Sequence, residues 1–263
     1  MTSRDVKTID RTMLTLATIL ALLGIAQYYT GARAFGWVIP YTPKRFSSFF
    51  ALFPYINNAG SFFILAGGLA LSRGWRYLPL FGLFAFCTWL TGTRFAWPCF
   101  GVLFIVKVFQ SRDHWLDYPY FLVLFGLGVG YAAVQCSDYL MGHRWHEYVL
   151  NYRIMQDFPW FGVGPWGNIA VHWMYAEDWL FPVLRKNPNV HNDYMVFLVE
   201  YGIIGAGLLA AIGGRWLWRA RDMRLRDCRG LAVLLVLGHG LIDMPLHCPA
   251  VLVMMLVCLR GMK

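Results

Sequence analysis

Three ionisable residues stand at or just inside the start of one apolar segment, HNDYMVFLVEYGIIG, where a membrane helix would ordinarily carry none. Either Asn192 or Asp193 can cap this helix through a side-chain oxygen. A cap does not explain His191, whose imidazole is the side chain best suited to take up a proton near neutral pH. The segment therefore predicts a general base, His191, at the mouth of the helix, with Glu200 about two turns further along.

Two arginines offer a complementary chemistry. Arg94 lies between two apolar runs in TGTRFAW, and Arg153 lies in a short helix predicted for 146–157. Each could be an interfacial side chain that reaches for the headgroups. A guanidinium also binds phosphate with two hydrogen bonds and keeps its charge. Together with His191 they predict an anionic, lipid-borne substrate, and either arginine could be the partner that a buried Glu200 requires.

The motif HGLIDMPLHCP places His239, Asp243 and His247 four residues apart, so a continuous helix would present them on one face. One interpretation is a metal site of an intramembrane metallohydrolase. The other, which we favour, is a hydrogen-bonded His and Asp pair that supports the helix packing, because Pro245 interrupts the helical geometry. The sequence predicts no metal site from these residues.

Long apolar runs must position these side chains. Of the 263 residues, 58% are hydrophobic and only 14% are charged, well below the quarter or so that is usual in soluble domains. The composition predicts an all-α, polytopic membrane protein that forms a single membrane domain over 1–263, with about eight transmembrane helices. The runs are 12–31, 58–72, 77–93, 95–110, 117–136, 194–214, 231–248 and 250–260.

The basic residues indicate the orientation of these runs. Six of the 23 fall in one cluster between two apolar runs: Arg215, Arg219, Arg221, Arg224, Arg226 and Arg229. Such a cluster is typical of a cytoplasmic loop against anionic lipid, so both termini are predicted inside and no nucleic-acid partner is expected. The segment 137–193 then becomes a helical extracytoplasmic loop, in which GVGPWG (162–167) is interpreted as a tight turn rather than a dinucleotide site.

Five pieces of the chain, in this order, resemble the O-antigen ligase and O-antigen polymerase superfamily of bacterial membranes. They are FPYINNAGSFF, TGTRFAW, YRIMQDFPWFGVGPWGN, HNDYMVFLVEYGIIG and HGLIDMPLHCP. Each piece alone is weak evidence, whereas the ordered set is fairly specific. The resemblance implies a glycosyltransferase-C-like fold in the inner membrane, with its active site facing the periplasm.

The resemblance also implies the reaction. Members transfer a glycan from a polyprenyl-diphosphate carrier to an acceptor hydroxyl on a glycan or on lipid A core, without a metal or other cofactor. Carried over by position, Arg94 and Arg153 would hold the diphosphate and His191 would act on the acceptor hydroxyl. The supporting residues would be Glu200, Asn192, Asp193, Asn58, His239 and Asp243.

The chain is shorter than the usual member of that family and has fewer predicted spans. Two alternative functions therefore stay open. One is a non-catalytic membrane subunit that binds glycolipid, and the other is the metallohydrolase considered above. The sequence does not distinguish a ligase from a polymerase.

Overall fold

A computed structural model describes residues 3–30, 51–53, 55–110, 145–177, 191–219 and 227–260. Throughout these ranges the regular structure is helical and no strand occurs, which confirms the all-α prediction. The α-helices are α1 Ser3–Thr30, α2 Ile56–Ser72, α3 Leu78–Thr91, α4 Ala96–Phe109, α5 Trp145–Asp157, α6 Gly167–Tyr175, α7 Asp193–Arg219, α8 Cys228–His239 and α9 Pro249–Arg260. The predicted span 117–136 lies outside the described residues, as does part of the arginine cluster.

Most of the apolar runs form helices close to the predicted limits. The helix predicted for 146–157 is confirmed as α5, whereas α6 was not predicted. The run 231–248 was wrongly predicted as one helix, because α8 ends at His239 and the chain continues through an irregular segment into a 3₁₀ helix, Pro245–His247. Proline cannot supply an amide hydrogen to a continuing helix, which is consistent with this break.

Two of the described helices, at Arg4–Thr30 and Asp193–Arg215, are long and apolar enough to cross a membrane. Only 28% and 22% of their most apolar windows are buried in the protein, so most of this apolar surface is exposed. The core helix of a soluble protein would be covered by its neighbours. These two helices therefore indicate membrane association, while the other apolar helices are shorter and leave the eight-span topology a prediction.

The chain divides into two units. In the first unit, α2 is the central helix and packs against α1, α3, α4, α8 and α9. Every residue from Asn58 to Leu71 is buried, as expected for a helix that is apolar on all sides. Phe63 of α2 stacks on Phe84 of α3, with ring centroids 5.8 Å apart.

Glycines bring neighbouring helices close to α2. A Cβ on Gly68 would lie 2.5 Å from the Ala232 Cβ of α8, and one on Gly60 would lie 3.0 Å from the Thr93 hydroxyl. Small residues that admit close backbone approach are the usual contact between helices in membranes. The glycines of α2 are therefore packing positions.

The second unit contains α5, α6, α7 and the segment Gly240–Met244. Both α5 and α6 pack against α7. Buried Leu150 of α5 contacts Trp173, Tyr175 and Ala176, at and after the end of α6. This unit carries most of the residues that the sequence assigned to chemistry.

Candidate active site

The start of α7 is joined to the segment that follows α8. The Asp193 amide donates to the Gly240 carbonyl at 2.9 Å and to the Asp243 carbonyl at 3.1 Å. The Asn192 side-chain amide donates to the Leu241 carbonyl at 3.0 Å. These bonds bring together two motifs about fifty residues apart in the chain.

Asn192 caps α7, as one of the two predicted candidates. Its side-chain oxygen accepts a hydrogen bond from the Met195 amide at 3.0 Å, three residues into the turn. Since the same side chain also donates to Leu241, both ends of its amide group are engaged in holding the junction. The role of Asn192 is thus structural.

His191 is set against a carboxylate. Its Nδ1 lies 3.4 Å from Oδ1 of Asp243, the long end of a hydrogen bond. The same Oδ1 accepts the Met244 amide at 2.8 Å, which fixes the carboxylate. Both side chains are largely shielded from solvent, with 16% and 10% exposed. A carboxylate at Nδ1 favours the tautomer of the imidazole in which Nε2 has the lone pair.

The backbone of His191 is in the left-handed region, at φ 50°. A residue with a side chain pays roughly 1–3 kcal/mol for such a conformation, and such outliers concentrate at functional sites. The three bonds from Asn192 and Asp193 to the opposite segment hold the adjoining chain in place. The strained backbone is therefore evidence for a functional role of His191 that does not depend on the sequence argument.

Both acidic residues of α7, Asp193 and Glu200, are buried. Asp193 has no exposed surface and Glu200 has 5%. The two are seven residues apart on one helix, about 10 Å along its axis. Glu200 is thus buried two turns into α7, and its backbone carbonyl bonds to the segment 159–164.

Helix α7 is broken at Gly202, which has φ 63° and ψ −174°. In an uninterrupted helix the amides of residues 203 and 204 would donate to the carbonyls of residues 199 and 200. The segment 159–164 supplies new partners for all four groups. Its bonds are Val163 N–H to Val199 O (2.9 Å), Gly164 N–H to Glu200 O (2.9 Å), Ile203 N–H to Pro159 O (2.8 Å) and Ile204 N–H to Trp160 O (3.2 Å). We name this arrangement, residues 159–164 with residues 199–204, the backbone clamp.

The clamp has no space for side chains at two of its glycines. A Cβ on Gly202 would lie 2.3 Å from the Trp160 carbonyl carbon, and one on Gly162 would lie 2.4 Å from the Val199 carbonyl oxygen. Both glycines have positive φ. The tight turn predicted for GVGPWG is confirmed, since the Gly167 amide donates to the Gly164 carbonyl at 3.0 Å.

Arg153 lies on α5 with about half of its side chain exposed. Its Nη1 is 3.0 Å from Oε1 of Glu177, which follows α6. Arg153 therefore pairs with Glu177, and the sequence did not anticipate this partner. Nearby, the Tyr175 hydroxyl donates to Asp157 at 2.5 Å, and this bond raises the pKa of Tyr175. The two contacts join α5 to the end of α6.

Arg94 belongs to the first unit and is exposed between α3 and α4. The turn before it contains Gly92 at φ 67°, a conformation suited to glycine. The Thr93 hydroxyl donates to the Asn57 side-chain oxygen at 3.2 Å, which ties this turn to the start of α2. Asn58, the next residue, is buried in α2. Arg94 is thus held by a well-anchored turn.

The periodic motif His239, Asp243 and His247 does not form one helical face, because α8 ends at its first member. His239 is buried, with Nδ1 2.7 Å from the Ser61 hydroxyl and its ring stacked on Phe95 at 4.8 Å. Asp243 contacts His191, a histidine that the predicted pair did not include. The contacts of His239 with Ser61 and Phe95 are packing contacts within the first unit.

Two partners of the site were missed from the sequence. Asp243 was assigned to His239 because the spacing of four was the only visible signal, while its contact with His191 crosses about fifty residues. The clamp had one signal, the glycines of GVGPWG and EYGIIG, but spacing does not show that these segments meet. Comparison of the chain with protein-family models finds no match, and neither does a search of curated proteins.

Proposed function

We propose that the protein is a membrane glycosyltransferase that moves a glycan from a polyprenyl-diphosphate carrier to an acceptor hydroxyl on the extracytoplasmic side. The observation that carries the proposal is the His191 and Asp243 pair at the start of α7. Support also comes from the family resemblance and from the two apolar helices with exposed faces. The proposed location is a bacterial inner membrane, crossed several times, with the glycosyltransferase-C-like arrangement of about eight spans.

The proposed chemistry is inverting displacement with His191 as general base. The acceptor hydroxyl passes its proton to Nε2 of His191 as its oxygen attacks the anomeric carbon. The bond from that carbon to the diphosphate breaks, and the electron pair leaves with the polyprenyl diphosphate. Asp243 stabilises the imidazolium that forms, as a carboxylate does for histidine in other base-catalysed transfers.

The leaving diphosphate requires positive charge rather than a base. Arg153 is the candidate in the second unit, and its exposed pair with Glu177 is of a kind that contributes little free energy. A diphosphate offers stronger two-point hydrogen bonding and could displace Glu177. Arg94 and Asn58 enter the proposal from the resemblance alone. Glu200, Asp193 and Asn192 would act through the position of α7.

The test is transfer in proteoliposomes that contain the purified chain, an undecaprenyl-diphosphate-linked glycan and a glycan or lipid A-core acceptor. We expect His191→Ala to lower the rate by about 10²–10⁴-fold, the usual contribution of a general base. Arg153→Ala and Arg94→Ala should weaken donor binding. Wild-type transfer by all three variants would overturn the proposal.

Asp243→Asn distinguishes a positioning residue from a merely structural one. Loss of the carboxylate should lower kcat of transfer while the KM for the donor and the folded fraction stay unchanged, and Asp243→Glu should restore part of the rate. An equal loss of rate in Asp243→Asn and Asp243→Glu, or a loss that follows the folded fraction, would contradict the assignment. Binding of the carrier lipid without any transfer by the wild type would indicate a non-catalytic subunit, and zinc lost on His239→Ala would indicate the metallohydrolase.

A further inference from the structure

The first unit contains an open groove between α1 and the start of α3, with a volume of about 650 Å³. This volume falls within the range typical of small-molecule sites, roughly 300–1,000 Å³. Its described lining residues are Arg11, Leu14, Thr15, Thr18, Ile19, Arg76, Tyr77 and Leu80. None of these is acidic, so the two arginines give the groove a net positive charge.

The charge is concentrated at one end of the groove. Arg11 precedes the apolar lining residues of α1, and Arg76 precedes Leu80 on α3. The Cys87 thiol of α3 contacts the Ala21 carbonyl of α1, ten or so residues beyond either arginine, so the two helices run parallel. From Arg11 to Ile19 the groove extends about 12 Å along the helix axis. The groove therefore has a cationic end, and the rest of the groove is less polar.

Both arginines are exposed and placed for an external anion. The Arg76 guanidinium lies over the Tyr77 ring, 5.1 Å from its centroid, which orients the charge without neutralising it. The acidic neighbour of Arg11 in the chain, Asp10, is buried and pairs with Arg73. Asp10 thus leaves the charge of Arg11 available at the groove.

The remainder of the lining suits a hydrocarbon chain. Thr18 donates its hydroxyl to the Leu14 carbonyl of its own helix at 2.7 Å, so this hydroxyl is satisfied without a ligand. Ile19 is 55% exposed, and Leu14 and Leu80 contribute apolar surface. An amphiphile with an anionic head and an apolar tail matches both ends of the groove.

We propose that this groove binds an anionic phospholipid, with its headgroup phosphate between Arg11 and Arg76 and an acyl chain along Leu14, Ile19 and Leu80. Arg11 lies before the first predicted span, on the side of the predicted cytoplasmic N-terminus. Arg76 lies between the second and third predicted spans, which returns the chain to that side, where anionic lipid faces the protein. The site is separate from the proposed transfer reaction, and a failure of either proposal leaves the other standing.

The experiment uses the full-length protein in detergent, titrated with phosphatidylglycerol or phosphatidylcholine of the same chains and followed by native mass spectrometry and thermal unfolding. We expect saturable binding of phosphatidylglycerol and a raised unfolding midpoint, without either effect from phosphatidylcholine. The double variant Arg11→Gln with Arg76→Gln should weaken phosphatidylglycerol binding by about tenfold or more, the size expected for two cation contacts.

The matched control is Arg4→Gln with Arg260→Gln, which removes the same charge from two exposed positions that do not line the groove. It should bind phosphatidylglycerol as the wild type does. Thr15→Phe keeps both arginines but fills the groove, so it should also weaken binding of phosphatidylglycerol. This variant tests the proposal if the double arginine variant does not fold. Equal binding by all variants, or an equal midpoint rise from glycerol phosphate alone, would overturn the lipid assignment.

Discussion

Glycine has different tasks in the two units of the molecule. In α2 of the first unit the backbone is ordinary helix, and Gly68 and Gly60 are small so that Ala232 of α8 and Thr93 of the turn between α3 and α4 can approach. At the clamp of the second unit the backbone itself is unusual, and Gly202 and Gly162 combine positive φ with direct contact to another stretch of backbone. A substitution at α2 therefore disturbs packing alone, whereas one at the clamp disturbs both packing and conformation.

The comparison extends to the polar groups. Buried His239 in the first unit is fixed by Ser61 and Phe95, as a packing residue should be. His191 in the second unit has a strained backbone and a partly exposed ring beside a carboxylate. Burial against a hydroxyl and an aromatic ring is typical of a packing residue, while a strained backbone beside a carboxylate is typical of functional sites.

Gly202→Ala should have the largest effect on stability. The added Cβ meets the Trp160 backbone at 2.3 Å and the residue must keep φ 63°, so we expect about 2–5 kcal/mol of destabilisation from overpacking and strain together. Unfolding of the purified protein in detergent, followed by tryptophan fluorescence, measures it. Gly207→Ala is the control, because that position on the same helix has nothing within 4 Å. Equal stability of the two variants would show that the clamp is absent.

Gly68→Ala should cost less, about 1–3 kcal/mol, because only packing against Ala232 and the Cys228 carbonyl is disturbed. The same unfolding assay applies. Gly82→Ala on α3 has open space around it and should be neutral or slightly stabilising. If Gly68→Ala proved more damaging than Gly202→Ala, the distinction between the two kinds of glycine would be wrong.

Ser61→Ala should destabilise the first unit by about 1–3 kcal/mol, since it removes a buried hydrogen-bond partner of His239. Glycan transfer, corrected for the folded fraction, should be unchanged. Ser72→Ala is the milder control, since that hydroxyl donates only to its own helix and is partly exposed. A specific loss of transfer in Ser61→Ala would move His239 from packing to chemistry.

Glu177→Gln should have the smallest effect on stability, within about 0.5 kcal/mol, because both side chains of its pair with Arg153 are about half exposed. If Arg153 binds the donor diphosphate, this variant should bind the donor as well as or better than the wild type. Arg153→Gln should bind it less well. Parallel loss of donor binding in both variants would mean that the pair itself, rather than Arg153, supports the site.

The sequence predicted the helices well where the signal is local. Apolar runs of sufficient length become helices because their backbone groups bond within the segment, and α2 to α4 accordingly lie near the predicted limits. Helix α1 ends near its predicted limit but begins at Ser3, well before the predicted start at residue 12. The end of α8 at His239 was not predicted, although Pro245 indicated that one helix would not continue to residue 248. That end coincides with the Gly240 carbonyl bonding to Asp193, a contact that no local pattern encodes.

The sequence predicted candidate residues for a site but not how they are arranged. The cap at Asn192 follows from local rules, and the structure has it. The contact of His191 with Asp243 and the break at Gly202 depend on segments that meet only in the folded chain. A lone glycine in an apolar helix is compatible with a continuous helix, so the break requires the partner segment 159–164 to be known.

The backbone clamp also constrains how the protein can be assembled. Residues 159–164 are synthesised before 199–204, so the partner of the break already exists when α7 emerges from the ribosome. If α7 were broken at Gly202 before the two segments meet, two amides and two carbonyls of an apolar helix would have no bond, a costly state in hydrocarbon. We therefore expect α7 either to insert first as a continuous helix and rearrange later, or to await docking of the preceding loop. In both cases the completion of α7 is the step at which the loop carrying Arg153 becomes part of the folded protein.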